Sequence, residues 1–403
     1  MKALLRKILV MGIVALFLGR VGSAFFKVNV NVEAAGATVY VDDDNVAGPW
    51  DGTVSHPYQN ITSGVEHASY GDAVYVFSGT YTENVVVNKS ITLRGDSKPV
   101  IDGMGGTGID VTLYDDFVYG VTVDGFDITN CSYGINLVMQ NIANDVTDLS
   151  VTIGDIILSN NTISSNSDGI FVDVHDVGVD MYGSSSVVIG DFRVTNNLIN
   201  SSGKGINVDG FYNIGIYMLN STVFSMGNMQ ITGNTVNSSQ QGIYLYEIEG
   251  LGEEMYDDSS FTMGSILVND NTVNSDDYGI APWFIQDFGY DLYGDSFFTM
   301  GNIEFCKNTI NSTKDAIGFS QFTDFGTDIY GNSSFLMGNV LVNDNTLHSY
   351  IWLTSFGNFG AYLYENSSYT MGNVEFCRNE IYSDKADGIT FYSLQPFGYE
   401  MYD

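Results

Sequence analysis

Phe261-Thr262-Met263-Gly264-Ser265-Ile266-Leu267-Val268-Asn269-Asp270-Asn271-Thr272-Val273-Asn274-Ser275 returns 37 residues later as Phe298-Thr299-Met300-Gly301-Asn302-Ile303-Glu304-Phe305-Cys306-Lys307-Asn308-Thr309-Ile310-Asn311-Ser312. The glycine of this stretch recurs at Gly154, Gly190, Gly227, Gly264, Gly301, Gly338 and Gly372, at intervals of 36, 37, 37, 37, 37 and 34. Self-similarity at a fixed period means one supersecondary unit repeated, each copy burying its apolar side against its neighbours.

Two and four residues after the glycine the side chains are apolar in every copy, as at Met229 and Ile231 or Ile266 and Val268, with mixed residues between. That alternation is a short half-buried strand. Seven after it stands asparagine each time, at Asn161, Asn197, Asn234, Asn271, Asn308, Asn345 and Asn379. One amide at one turn of every coil is expected to form a ladder, each donating to the next coil's acceptor. An aliphatic residue follows at nine and a serine at eleven, and then usually a Gly-Ile pair such as Gly242-Ile243. Strand, asparagine turn, strand, serine-glycine turn, strand describes one coil of an all-β, right-handed parallel β-helix.

Such a coil takes about 22 residues, leaving about 15 over in each period. The surplus starts at a glycine (Gly178, Gly215, Gly252, Gly289, Gly326, Gly360, Gly398), turns on small or polar pairs such as Gly294-Asp295, and returns to the anchor. A turn pair flanked by alternating apolar residues signals a hairpin, so each coil is expected to carry a β-arm, the arms stacking into a lateral sheet. Asp180 with Tyr182, Glu254 with Tyr256, Asp291 with Tyr293 and Asp328 with Tyr330 recur on the arms, and Glu400 with Tyr402 on the last. Spacing of two puts acid and ring on one face, a candidate carbohydrate- or calcium-binding surface with tyrosines as sugar platforms. The alternative is a tyrosine stack that only covers the arm sheet. The chain stops within an arm, as a fragment would. Residues 60–69 suggest a short capping helix with Asn60 or Thr62 as N-cap.

Lys2, Arg6 and Lys7 precede the apolar run Ile8 to Gly19 and the small residues Gly22, Ser23 and Ala24. We read residues 1–24 as a secretory signal peptide, with cleavage as late as 37, and an uncleaved anchor as the alternative. Residues 38–100 are then the N-terminal cap and first coils, and 101–403 the repeats. No other stretch approaches membrane-spanning length. Ten basic residues would remain against 48 acidic ones, which argues against nucleic acid as partner. Asp42, Asp43, Asp44 and Asp51 are a candidate Ca2+ site, since clustered loop carboxylates suit that ion; calcium is the one cofactor the sequence suggests. Three cysteines give no disulfide framework. Stacked coils would put Cys306 and Cys377 about 10 Å apart as buried fillers.

From Thr38 onward Val39-Tyr40-Val41-Asp42, Asp51-Gly52-Thr53, His56-Pro57-Tyr58, Gly71-Asp72-Ala73-Val74-Tyr75-Val76, Gly79-Thr80-Tyr81 and Asn88-Lys89-Ser90-Ile91-Thr92-Leu93 follow one another. This opening resembles NosD-like β-helix proteins of the pectin-lyase-like superfamily, many of them archaeal surface or secreted proteins. The resemblance implies the fold far more than an activity. The superfamily's polygalacturonase motifs (Asn-Thr-Asp, Gly-His-Gly, Arg-Ile-Lys) and methylesterase motifs are missing from this sequence. Arg193, Lys307 and Arg378 read as solvated turn residues, and no catalytic residue is assigned. The leading expectation is a secreted or cell-surface β-helix with a structural or adhesive role, with carbohydrate, cell-envelope components or cations as ligands. The rival is a polysaccharide lyase or glycoside hydrolase, which requires a local break from the repeat. Ten N-x-S/T sequons are candidate glycan acceptors, the best exposed at the arm tips Asn220, Asn332 and Asn366.

Overall fold

The computed structural model describes residues 36–114, 120–383, 388–395, 397–398 and 401–402. Residues 1–24, read above as a signal peptide, and Glu400 of the last arm lie outside the described residues.

Each copy of the repeat makes one full coil. In the copy quoted first, the alternating residues after Gly264 form Ile266–Asn269, the chain turns at Asn271, and Thr272–Ser275 follows. The serine-glycine turn leads into the long strand Ile280–Phe288, and the arm returns through Phe297–Met300 to the next anchor. Each strand pairs in parallel with its equivalents in neighbouring coils, as Ile266 with Met229 and Ile303, so that equivalent residues stack along the axis. Among the described residues this builds sheets of eleven, ten, ten and seven strands and one of two. The protein is a right-handed parallel β-helix. Inward residues of successive strands, such as Ile231, Val268 and Ile303, form one continuous buried core.

The asparagines after the first turn are buried in that stack. Asn271 Nδ2 donates to Asn308 Oδ1 at 3.1 Å and to the Ile231 carbonyl at 2.8 Å. Its own Oδ1 accepts from the backbone N and the Nδ2 of Asn234 at 3.0 and 3.1 Å. The same contacts link Asn161, Asn197, Asn234, Asn271, Asn308, Asn345 and Asn379. A second ladder follows the anchor glycine: Asp191 N, Asn228 N, Ser265 N and Asn302 N each donate to the side-chain oxygen of the same position one coil earlier.

The arms stack into the seven-stranded lateral sheet, but their pairing differs from a hairpin's. Backbone bonds run from coil to coil, as in Tyr293 N to the Met255 carbonyl at 2.8 Å and Phe297 N to the Ser259 carbonyl at 2.9 Å. The two limbs of one arm meet through side chains. Phe224, Phe261, Phe298, Phe335 and Tyr369 lie in a column between them, with centroids 5.1, 4.9, 4.8 and 5.2 Å apart and nearly parallel planes. This column explains the glycine that opens each arm. Gly289 has φ +60°, and a Cβ there would lie 2.6 Å from Phe335 and 2.9 Å from Phe298. Only glycine meets both conditions without strain.

The N-terminal helix α1 (Ile61–His67) packs Ile61, Gly64 and Val65 inward, with Asn60 Oδ1 capping Ser63 N. Glu83 also accepts from the amides of Ile61 and Thr62. The helix thereby lies over the first coils, against Val41 and Val74. Cys131 and Cys306 are buried free thiols, while Cys377 is only half-buried. Among the described residues no helix is long and apolar enough to cross a membrane.

Candidate functional site

The arm residues singled out in the sequence do come together. Tyr256, Tyr293, Tyr330 and Tyr364 stack face to face at 4.9, 4.6 and 4.4 Å, within 7° of parallel. Asp291 and Asp328 accept from the hydroxyls of Tyr293 and Tyr330 at 3.2 and 3.4 Å, and Asp180 from Tyr182 at 3.3 Å. Asp180, Glu254, Asp291 and Asp328 all sit at left-handed bends, with φ of 60°, 51°, 57° and 56°. The ring faces a sugar would need lie against other rings, so the stack presents edges and hydroxyls. Burial, then neighbouring Asp328 and Glu254, pushes the Asp291 carboxyl up.

Two acids at the base of the arms are shifted further. Burial, then the charges of Asp287, Glu254, Asp291 and Glu249, pushes Glu253 up to about 7. Burial, then Asp324 and Glu249, pushes Asp287 up to about 6. Acids with raised folded-state pKa hold their protons more tightly than the unfolded chain does. Their contribution is full below the unfolded pKa, near 4, and is lost as pH rises through 6 and 7. Thermal melts at stepped pH should therefore show stability falling between pH 4.5 and 7.5, by about 2 kcal/mol after allowance for solvent around half-buried groups. Glu253→Gln should flatten that fall; a wild-type profile flat across the window would refute the assignment.

Of the N-terminal aspartates, Asp42 and Asp51 serve their own turns and Asp43 reaches across to the turn at Thr80. Asp43 accepts from Thr80 N at 2.9 Å, Asp42 from Asp44 N at 3.1 Å, and Asp51 from Thr53 N and Oγ1 at 3.0 and 2.7 Å. Asp44 is exposed. Among the described residues no three carboxylate, imidazole or thiol groups converge as a metal site would require.

The two departures from a 37-residue period mark a different surface, the outward face of the sheet that contains Ile170–Val177 through Ile351–Phe359. Val172 pairs with Val208, but Asp173 pairs with Gly210, so Asp209 is an extra residue in a bulge. Beside it His175 Nδ1 lies 2.8 Å from Asp173, and its ring stacks on Tyr212 at 4.9 Å. A Cβ on Gly210 would come within 2.6 Å of Asp173 and 2.7 Å of the Tyr212 ring. The bulge glycine makes room for this polar group, as bulges do when they re-aim side chains. One coil further, burial and the charges of Glu249, Asp209 and Asp173 push Glu247 up.

The second departure builds a pocket. Ile310 pairs with Leu347, an offset of 37, but Ile317 pairs with Ile351, an offset of 34. The serine-glycine turn thus loses three residues, and Tyr350 occupies it, its carbonyl accepting from Ala316 N at 2.8 Å. The resulting cavity of about 300 Å3 is walled by Tyr278, Trp283, Tyr350 and Trp352, with Gly318, Ser320 and Asp315 at its floor. Tyr278 and Trp283 meet edge to face at 6.2 Å and 87°, and Tyr350 meets Trp352 at 6.3 Å and 74°. The Trp352 indole N–H donates to Thr354 at 3.1 Å. Asp315 is 8% exposed and accepts from the Tyr350 hydroxyl, which that bond holds up at about 12. A Cβ on Gly318 would lie 3.1 Å from both Asp315 Oδ2 and the Tyr278 ring. The missing side chain is what opens the floor. Register carries small and aromatic residues across this face: Tyr244 pairs with Ala281, and Gly318 with Trp352.

A third surface is a groove of about 690 Å3 along the serine turns, lined by Asn200, Asn237, Asn274 and Asn311 among others. Asn237 Nδ2 donates to Asn200 Oδ1 at 2.9 Å and Asn274 to Asn237 at 3.0 Å. Each amide so placed keeps a donor and an acceptor lone pair for a neighbour outside the stack.

No family model matches the chain, and no curated protein matches it in sequence. Among solved structures it overlaps a GH136 lacto-N-biosidase from Eubacterium ramulus at 12% identity, over 86% of this chain and 68% of that one, with a TM-score of 0.33. A rhamnogalacturonan lyase is 15% identical over 86% and 87% of the two chains, TM-score 0.24. A pectin methylesterase from Aspergillus niger is 10% identical over 88% and 91%, TM-score 0.17. Overlaps this loose carry no argument about activity; the architecture rests on the sheets described above.

Proposed function

We propose that this chain is an extracellular β-helix with a structural or adhesive role that binds carbohydrate. The observation that carries the reading is the pocket of Tyr278, Trp283, Tyr350 and Trp352, opened where the repeat loses three residues. Small-ligand sites combine aromatic walls with a few converging polar groups. A pyranose has apolar C–H faces and a hydroxyl rim, and so matches tilted rings around one carboxylate and a serine. The pocket lies on an outward sheet face that continues across coils, so a chain of sugars held there has room to extend along the axis.

Titration of the purified protein with neutral and acidic oligosaccharides, followed by tryptophan fluorescence, tests this directly. Trp283→Ala and Trp352→Ala should each weaken binding about 10- to 100-fold, the range of a buried aromatic anchor. Both side chains face outward, so the variants should melt close to the wild type. Full affinity in both variants would move binding elsewhere. Cleavage of a polysaccharide by the wild type would replace the adhesive role with an enzymatic one.

A further inference from the structure

We infer that the pocket selects an amino sugar carrying a free ammonium group over its N-acetylated, neutral or uronic counterparts. The inference rests on the carbohydrate-binding reading above and names the ligand class of that site. It starts from the composition of the walls. Tyr278, Trp283, Tyr350 and Trp352 surround one carboxylate, Asp315, sunk to 8% exposure on the pocket floor. Ring faces are negative, and an ammonium within about 6 Å of a centroid is attracted to them. A carboxylate in a place where water screens poorly attracts an approaching cation more strongly than one in open solvent.

The rings of this face already hold ammonium groups. Lys314 Nζ lies 4.8 Å from the centroid of Tyr278, at the pocket wall. Lys204 Nζ lies 4.0 Å from the centroid of Tyr244, whose ring meets Trp283 at 5.0 Å. Lys314 is itself ion-paired with Asp277, so its charge is answered and does not make the wall attractive to anions. The surroundings point the same way. Glu247, Glu249 and Asp209 occupy the same sheet face, and the whole chain carries a net charge of −34. Such a field draws cations toward the face and repels polyuronates before contact.

The floor also limits what can sit there. Asp315 and Gly318 both border the cavity, and a methyl group at Gly318 would crowd Asp315 Oδ2 at 3.1 Å, so the glycine keeps that oxygen uncovered by a side chain of its own. A primary ammonium on a sugar ring can approach the carboxylate. An acetamido group at the same position brings bulk and no charge.

The test compares three tetrasaccharides of similar length on the full chain by calorimetry and tryptophan fluorescence: glucosamine, N-acetylglucosamine and galacturonate. The glucosamine tetramer should bind at least tenfold more tightly than the N-acetylated one, and the galacturonate tetramer most weakly. The preference should fall as pH is raised past deprotonation of the sugar amine, a readout that needs no mutation. Asp315→Asn should bring the ratio toward one, and Gly318→Ala should weaken the glucosamine tetramer by filling the floor. Equal affinity for the glucosamine and N-acetylglucosamine tetramers would overturn the inference while leaving carbohydrate binding standing. Failure of all three to bind would remove the underlying reading as well. Spermidine binding as tightly as the glucosamine tetramer would show a cation site without sugar specificity, and would also overturn the inference.

Discussion

Asn271→Ala is expected to destabilise the coil stack by about 3–5 kcal/mol, more than any surface substitution in this chain. The side chain is 1% exposed and lies between two copies of itself. Removing it strips the Asn234 backbone N–H and Nδ2 of their acceptor and leaves the Ile231 carbonyl without its side-chain donor, while Asn308 Oδ1 keeps only the backbone N–H of residue 271. Water cannot enter a turn packed against the neighbouring coils, so these groups carry their desolvation cost unpaired. Asn308→Ala should cost a similar amount, and the double variant less than the sum, because the two lesions share one bond. Hydrogen exchange would localise the effect: the Asn234 and Asn271 amides should lose protection before those of the N-terminal coils. In a repeat protein damage is felt first by nearest neighbours. Uniform loss of protection along the chain, or a midpoint unchanged in denaturant, would show that the ladder contributes little.

The same stacking explains why so much of the fold was legible. A residue buried between copies of itself meets nearly the same neighbours in every coil, so the same residue solves the problem each time. Asn234, Asn271 and Asn308 are identical for that reason, and the period follows from them. The ladder after the anchor glycine was harder to read. Asp191, Asn228, Ser265 and Asn302 differ in name while offering the same acceptor oxygen to the next coil. Hydrogen-bonding role was uniform there and residue type was not.

Arm pairing was ambiguous for a different reason. Apolar alternation around a turn pair suits an antiparallel hairpin, and it suits equally well two limbs that pair with neighbouring coils. Only the columns of Phe298 and Tyr293 distinguish the two, and columns exist only once coils are stacked. The candidate ligand pocket was least visible of all. Tyr278, Trp283, Asp315, Tyr350 and Trp352 come from three successive coils, and none belongs to a repeating motif. The signal that could have found them was the shortened interval of 34 between Gly338 and Gly372. Deleting three residues from a repeating turn changes one coil's side wall, and a site has to differ from its neighbours somewhere. The step from an interval of 36 (Gly154 to Gly190) to one of 37 (Gly190 to Gly227) marks the bulge, since Asp209 is the residue the second coil adds.

Phe298→Ala is the second large effect expected. Its ring is fully buried between Phe261 and Phe335, at 4.9 and 4.8 Å in near-parallel stacking, and it backs onto Gly252 and Gly289. Truncation leaves a cavity that the column cannot close. The glycine backbone on one side is held at φ near +60° and the strand Phe297–Met300 on the other is bonded to both neighbours. Buried phenylalanine to alanine costs about 3–5 kcal/mol, and the lost ring contacts belong to that figure. The half-buried Tyr293, whose hydroxyl donates to Asp291, should cost markedly less on truncation. Comparing the two melts therefore separates a column that holds the arm from one that merely covers it. If Tyr293→Ala proved the more damaging, the tyrosine stack would be the support of the lateral sheet and the phenylalanine column its filling. If Phe298→Ala does, as the geometry requires, the phenylalanine column extends the coil's core into the arms, and the tyrosine-acid edge outside it is free to vary without unfolding the coil.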